Sequence, residues 1–341
     1  MRRNSLLILL AVALCLPAAA SARKLKVATI VPEGSSWMEG MREAARKIQE
    51  KTEGRVQFKF YPGGVMGSDE TVLRKIRAGQ LHGGAFTSGA LARIYRDIDL
   101  YGIPLQFRSY DEVDYVRERM DAKLMAGLEK AGMVPLSISD GGFAYLMSQK
   151  PVRSVSDLDG TRVWIQEGDV MSQTAFDIAG ISPTQLPIAD VYTALQTRLI
   201  DTIAAPPMGA IALQWHTKVR YLTDVPLTYL IGVFAIDAET FGKLRPGDQE
   251  IVKDVMRAAA RTLELKDRKG DASAKQALRD QGIEFVTAAT PEEEQRWHEI
   301  RDQALSVLRE KQVFTPATID ELERHLEKYR SSARAAGGDP E

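Results

Sequence analysis

The chain has 341 residues, 45 of them basic and 46 acidic, and one cysteine, Cys15. The balanced charge argues against the basic surface of a nucleic-acid-binding protein, and a lone cysteine excludes an intramolecular disulfide. The length exceeds what one compact core usually holds, so the sequence predicts two lobes.

The N-terminus has the pattern of an export signal. Arg2 and Arg3 form a basic region, residues 6–17 form an apolar run, and Ala-Ser-Ala at 20–22 matches a signal-peptidase site. The run is shorter than the ~20 residues of a membrane helix. We therefore expect residues 1–22 to be a cleaved signal peptide and the mature chain, free of cysteine, to be periplasmic.

Strands and helices alternate along the rest of the chain. Apolar periodicity predicts a first round with strands at 25–31, 56–61 and about 81–87 and helices at 37–51 and from about 68. A second round has strands at 161–166 and 200–205 and helices at about 169–179 and 190–198. The C-terminal part predicts a long helix from Pro246, a strand at 283–287, helices at 291–311 and 318–330, and a disordered tail at 333–341.

This order predicts an α/β fold with a mostly parallel sheet covered by helices. The two rounds, joined near residues 137–142, predict two lobes with a hinge and a ligand cleft between them. We expect residues 23–141 plus about 231–270 to form the first lobe. Residues 142–230 plus about 271–332 would form the second.

No catalytic motif is present in the sequence. The four histidines do not stand at metal-ligand spacings, and no nucleophile elbow, phosphate-binding loop or dinucleotide fingerprint follows a predicted strand. We therefore expect no enzyme activity, no metal and no cofactor.

Four segments together resemble the substrate-binding proteins of TRAP transporters, in the DctP-like family. They are Phe-Lys-Phe-Tyr-Pro-Gly-Gly at 58–64, the Asp-Leu-Asp-Gly turn at 157–160, Gly-Ile-Ser-Pro at 180–183, and Asp-Val-Tyr-Thr-Ala-Leu-Gln-Thr at 190–197. The resemblance implies a periplasmic binding protein fold, a two-lobed clamp that captures a small-molecule ligand. Its implied partners are the membrane subunits of a TRAP permease, with no nucleic acid.

The resemblance also implies an arginine that anchors a carboxylate, on the strand after the Asp-Leu-x-Gly turn. A guanidinium meets a carboxylate with two parallel hydrogen bonds. At that position the chain has Trp164, with Arg162 two residues earlier on the same face of the strand. The sequence leaves open whether Arg162 or Arg153 replaces the missing anchor.

Two other positions that the resemblance assigns to the ligand lack a polar side chain. Ala144 occupies the position of a second arginine of the family, and Ala205 that of an asparagine. The residues expected to bind the ligand are Ile30, Trp37, Thr87, Phe143, Ala144, Tyr145, Trp164, Ile188, Ala205, Pro206 and Met208. Such a lining favours a ligand with apolar surface, whose burial contributes about 25 cal/mol per Å². It offers a ligand carboxylate no partner.

The sequence therefore predicts a neutral or hydrophobic ligand. Three alternatives remain open: a conventional organic-acid binder, an exported enzyme and a sensory module.

Overall fold

The structure is a computed structural model that describes residues 22–335. Residues 1–21 of the expected signal peptide and residues 336–341 of the expected tail lie outside the described residues. Residues 333–335 of that tail continue the last helix, which ends at Ala335.

Strands and helices alternate in the order that the sequence predicts, with additions in the middle. The strands are β1 (Arg23–Thr29), β2 (Val56–Tyr61), β3 (Gly83–Thr87), β4 (Met133–Ser148), β5 (Trp164–Gln166), β6 (Thr184–Leu186), β7 (Thr202–Ala205), β8 (Tyr221–Asp237) and β9 (Glu284–Val286). The helices are α1 (Ser36–Lys51), α2 (Asp69–Arg77), α3 (Ser88–Leu91), α4 (Tyr110–Lys130), α5 (Val170–Ile178), α6 (Val191–Gln196), α7 (Pro207–Ala212), α8 (Ala238–Gly242), α9 (Pro246–Asp280), α10 (Pro291–Glu310) and α11 (Pro316–Ala335).

Local signals set several of these boundaries. The Ser68 side chain accepts a hydrogen bond from the backbone N–H of Thr71, which caps α2 where the sequence predicts its start. Asp169 caps α5 in the same way through Ser172, and Pro246 occupies the first turn of α9. The predicted starts of these three helices are thus confirmed.

The main sheet is mixed, so the expectation of a mostly parallel sheet is wrong. Its strand order is β2-β1-β3-β8-β4-β7, with β9 beside β8. β1 runs parallel to β2 and β3, whereas β8 is antiparallel to β3 and β4, and β4 is antiparallel to β7. β5 and β6 form a separate parallel pair. The long strands β4 and β8 produce the antiparallel part.

β4 and β8 connect the two lobes. The C-terminal half of β8 pairs with β3, and its first residues pair with β9. The register between β4 and β8 shifts between Asp140 and Gly142, where Gly142 has φ of +83°, a conformation that favours glycine. A β-bulge of this kind bends a strand locally.

Helix α9 covers the crossing strands and packs on β4, α1 and α7. A hydrophobic cluster beneath α1 joins the first strand to the end of β8 through Leu25, Val27, Met38 and Phe234, all at most 1 % exposed. Residues distant in sequence therefore form one core. None of the helices in the described range is long and apolar enough to cross a membrane.

Candidate functional site

A cavity lies between the two lobes, and we call it the chamber. The ends of β1, β3, β5 and β7 and the middle of β8 meet there. Its lining residues are Ile30, Thr87, Ser88, Gly89, Asp99, Gly102, Trp164, Gln166, Glu167, Asp169, Met171, Ser172, Ile188, Ala204, Ala205, Pro206, Gly209, Leu213, Trp215, Thr228, Leu230 and Ile231. A pocket formed by strand ends and closed by two lobes is typical of a small-molecule site.

Two further cavities adjoin the chamber. The outer cavity is lined partly by Trp37, Met208 and Arg268 and shares Ile30 and Pro206 with the chamber. The side cavity is lined partly by Asp69 and Arg93. It shares Ile30, Gln166, Glu167 and Ile188 with the chamber.

Eight of the eleven residues expected to bind the ligand line these cavities. Ile30, Thr87, Trp164, Ile188, Ala205 and Pro206 line the chamber, and Trp37 and Met208 line the outer cavity.

The structure places the other three, Phe143, Ala144 and Tyr145, in the core and not in the lining of these cavities. The Phe143 ring packs edge-on against Tyr110, with ring centres 5.0 Å apart. The Tyr145 ring lies 4.0 Å from the Lys275 ammonium nitrogen. Successive side chains of a strand point to opposite faces of the sheet, and all three are buried, so this part of β4 is covered on both faces.

Trp164 forms part of the chamber wall with its polar group already bonded. Its indole N–H donates to the Leu186 carbonyl oxygen at 3.0 Å, and its ring meets the Trp215 ring edge-on at 5.3 Å. The side chain is 6 % exposed. Trp164 therefore offers a ligand apolar surface and no free hydrogen-bond donor.

Neither candidate replacement for the anchor reaches the chamber. Arg162 bonds to the Asp201 carboxylate through its Nε at 2.9 Å and its Nη2 at 2.8 Å, at a half-exposed site. Arg153 is exposed beside the capping residue Asp157. Among the described residues that line the chamber, none is lysine, arginine or histidine.

The chamber instead contains carboxyl groups from both lobes. Burial raises the pKa of Asp99 to about 8, and the nearby Asp169 carboxylate adds to the rise, against a hydrogen bond from Ser88. Burial also raises the pKa of Asp169, although hydrogen bonds from Ser172 oppose it. Glu167 is the third acidic residue of the lining. The chamber thus disfavours negative charge.

The arginine of the outer cavity already has its partners. Arg268, on α9, bonds through Nε to Asp140 Oδ2 at 2.8 Å and forms a second ion pair with Asp114. Its guanidinium also lies 5.0 Å from the centre of the Tyr110 ring. Within residues 22–335, no group of three His, Cys, Asp or Glu side chains is arranged to hold a metal.

The sequence did not identify several chamber residues, among them Asp99, Gln166, Asp169, Met171 and Trp215. Gln166 could have been found, because it lies two residues after Trp164 on the same face of β5. Asp99 carried no such signal, since it lies in a 3-10 turn, Arg96–Gly102, whose position depends on tertiary packing.

The family of bacterial extracellular solute-binding proteins, family 7 (DctP), matches residues 27–312. The chain belongs to the DctP family. The two-lobed fold is the one found in solved TRAP periplasmic solute-binding proteins.

Relatives of this DctP-family chain match it at low sequence identity. The C4-dicarboxylate-binding periplasmic protein DctP of Rhodobacter capsulatus is 23% identical over 299 residues, 85% of this chain and 88% of that one. A TRAP periplasmic solute-binding protein from Pseudomonas putida F1, with bound D-glucuronate, superposes with a TM-score of 0.80 at 22% identity, over 88% of this chain and 97% of that one. A Haemophilus influenzae RdAW protein with bound L-gulonate gives 0.82 at 18% identity, over 89% and 99%.

Proposed function

We propose that this chain is the extracytoplasmic solute-binding component of a TRAP transporter. It captures a small organic molecule in the chamber and passes it to membrane permease subunits. The observation that carries the proposal is the chamber itself, which lies between two lobes joined by the crossing strands β4 and β8. Membership of a family of extracellular solute-binding proteins supports the same function.

The proposal includes export and the division into lobes. Residues 1–22 act as a cleaved signal peptide and the mature chain works in the periplasm. The lobes comprise residues 23–141 plus about 231–270 and residues 142–230 plus about 271–332. The bulge of β4 between Asp140 and Gly142 supports a boundary there.

For the ligand, the comparisons favour an organic acid. The Pseudomonas putida protein holds D-glucuronate, the Haemophilus influenzae protein holds L-gulonate, and the Rhodobacter capsulatus relative is a C4-dicarboxylate-binding protein. These names support the conventional acid-binding alternative better than a wholly hydrophobic ligand.

The chamber lining favours an uncharged group at its centre. Trp164 stands where the resemblance places the carboxylate anchor, and the acidic Asp99 and Asp169 face the same space. None of the described residues of the lining is lysine, arginine or histidine, so a ligand carboxylate there would lose its hydration without gaining a cationic partner. We therefore propose that the part of the ligand inside the chamber is uncharged. An organic acid would place its carboxylate outside the chamber.

Matched pairs of probes test this proposal. Protein purified from the periplasm is first extracted with organic solvent, and native mass spectrometry identifies any molecule that co-purifies. Calorimetry then compares D-glucuronate with its uncharged amide, and phenylacetate with phenylacetamide. We expect each amide to bind more tightly than its acid. Tight binding of the acids alone would refute the uncharged chamber while retaining solute capture. Turnover of a bound molecule would instead support an enzyme.

A further inference from the structure

A hydrogen bond in the chamber wall links the two rounds of the fold. The Gln166 side-chain amide, on β5, donates to Thr87 Oγ1, at the end of β3, over 2.9 Å. The two residues are 79 positions apart in the chain, and both line the chamber. The bond therefore joins one wall of the cleft to the other.

Thr87 is held in the orientation that accepts this bond. Its backbone N–H and its hydroxyl both donate to Asp69 Oδ2, each at 3.2 Å. Since the hydroxyl proton points to Asp69, the oxygen lone pairs remain for Gln166 and for the backbone N–H of Ala90, which donates at 3.3 Å. Asp69 is 8 % exposed, so its carboxylate is fixed by its surroundings.

The same bond lies in the wall between two cavities. Gln166 lines both the chamber and the side cavity, whereas Thr87 lines the chamber and Asp69 lines the side cavity. Separating the two lobes would break the bond between Gln166 and Thr87 and open this wall. The bond with Asp69 would survive, because Asp69 and Thr87 both belong to the first round of strands and helices.

We infer that Thr87 and Gln166 are positioning residues whose mutual hydrogen bond, oriented by Asp69, holds the two lobes closed over the ligand. The inference rests on the proposed function in so far as the chamber holds a ligand. Opening must break this bond, so its loss raises the dissociation rate and leaves the association rate nearly unchanged. A net hydrogen bond of ordinary strength corresponds to a change of about five-fold.

Distance measurements between spin labels test the inference without any ligand. The only cysteine is Cys15, so the mature chain from Arg23 onward offers no competing thiol. One spin label is attached at Q80C in the first lobe and the other at Q196C in the second lobe; both positions are exposed. The variants are T87V and Q166L, with T87S retaining the hydroxyl. Q185A, an exposed glutamine whose amide bonds to Gln173, is the matched control.

We expect T87V and Q166L to lower the ratio of closed to open protein about five-fold, and T87S and Q185A to leave it near the wild-type value. Q166L keeps the cap that Thr87 supplies to α3, so it separates closure from local folding. Urea titration shows whether each variant is folded. A wild-type distribution without a closed component, or one that T87V and Q166L leave unchanged, overturns the inference.

A second arm adds N-phenyl-1-naphthylamine, an uncharged fluorescent probe, and measures its dissociation by stopped flow. We expect faster release from T87V and Q166L and equal association rates. An unchanged release rate contradicts the inference. Absence of probe binding by every variant counts against the uncharged chamber, while the label distances still decide the role of the hydrogen bond.

Discussion

Replacing Trp164 by alanine tests the chamber wall most directly. The side chain is 6 % exposed, and a buried tryptophan contributes about 200 Å² of contact area, of which alanine keeps about a quarter. The lost area of about 150 Å² corresponds to about 4 kcal/mol at 25 cal/mol per Å². Water from the chamber can solvate the freed Leu186 carbonyl, so we expect a loss of about 3 kcal/mol, near the lower end for such substitutions.

Urea denaturation measures this loss as a lower midpoint with an unchanged slope. W297A is the matched control, because Trp297 is 8 % exposed in a separate hydrophobic cluster and lines none of the three cavities. Both variants should lose stability, but only W164A should weaken the binding of N-phenyl-1-naphthylamine, by about ten-fold or more. Equal probe affinity in W164A and wild type would refute the assignment of Trp164 to the ligand wall. Tight binding of D-glucuronate that W164A leaves unchanged would refute the uncharged chamber.

Two other predictions concern charged groups. Because the pKa of Asp99 is raised to about 8, the folded state holds this proton more tightly than the unfolded state. The free energy of unfolding of the wild type should therefore decrease as the pH rises from about 4 to about 8. Melting temperatures recorded at pH 5 and pH 8.5 should differ less in D99N than in the wild type. R268M removes the partner of Asp140, whose side chain is 3 % exposed, and should cost about 3 kcal/mol in urea denaturation. R46M, which breaks an exposed pair with Glu43, should cost less than about 0.5 kcal/mol; equal effects of R268M and R46M would contradict a structural role for Arg268.

The sequence predicts the outer helices and the first strands well because their signals are local. Helix α1 carries its apolar residues on one face, and buries Met38, Met41, Ala44 and Ile48. β2 ends where Pro62, Gly63 and Gly64 form a turn, as the sequence predicts. Such periodicity and turn residues require no knowledge of the rest of the chain.

The crossing strands could not be predicted in the same way. β4 contains Asp140, Gly141 and Gly142, which resemble a turn in sequence, yet the strand continues through them as a bulge. The bulge is stabilised by distant groups, since Asp140 bonds to Arg268 of α9, 128 positions away. The antiparallel character of the sheet depends on this long-range pairing and not on local propensity.

The candidate site was only partly predictable for a related reason. Resemblance located Trp164, Ile188 and Ala205 because they lie in segments with a recognisable pattern, and the structure places all three on the chamber wall. It also assigned Ala144 to the site, whereas the structure buries this residue in β4, where it pairs with Thr228. A register in a bulged strand cannot be transferred by counting residues.

The state of the hydrogen-bond donors further restricts what the chamber accepts. Trp164 donates to Leu186, Gln166 to Thr87, and Thr228 to the Gly102 carbonyl at 2.8 Å. These three side-chain donors are thus committed to protein acceptors. The Asp99 carboxyl, whose pKa is raised to about 8, keeps its proton at neutral pH and adds a donor, so the chamber can hydrogen-bond an uncharged polar group such as a hydroxyl or an amide. A carboxylate would lack a cationic partner, since none of the described residues of the lining is lysine, arginine or histidine, so a binder of acids with this lining would hold the acidic end elsewhere in the cleft.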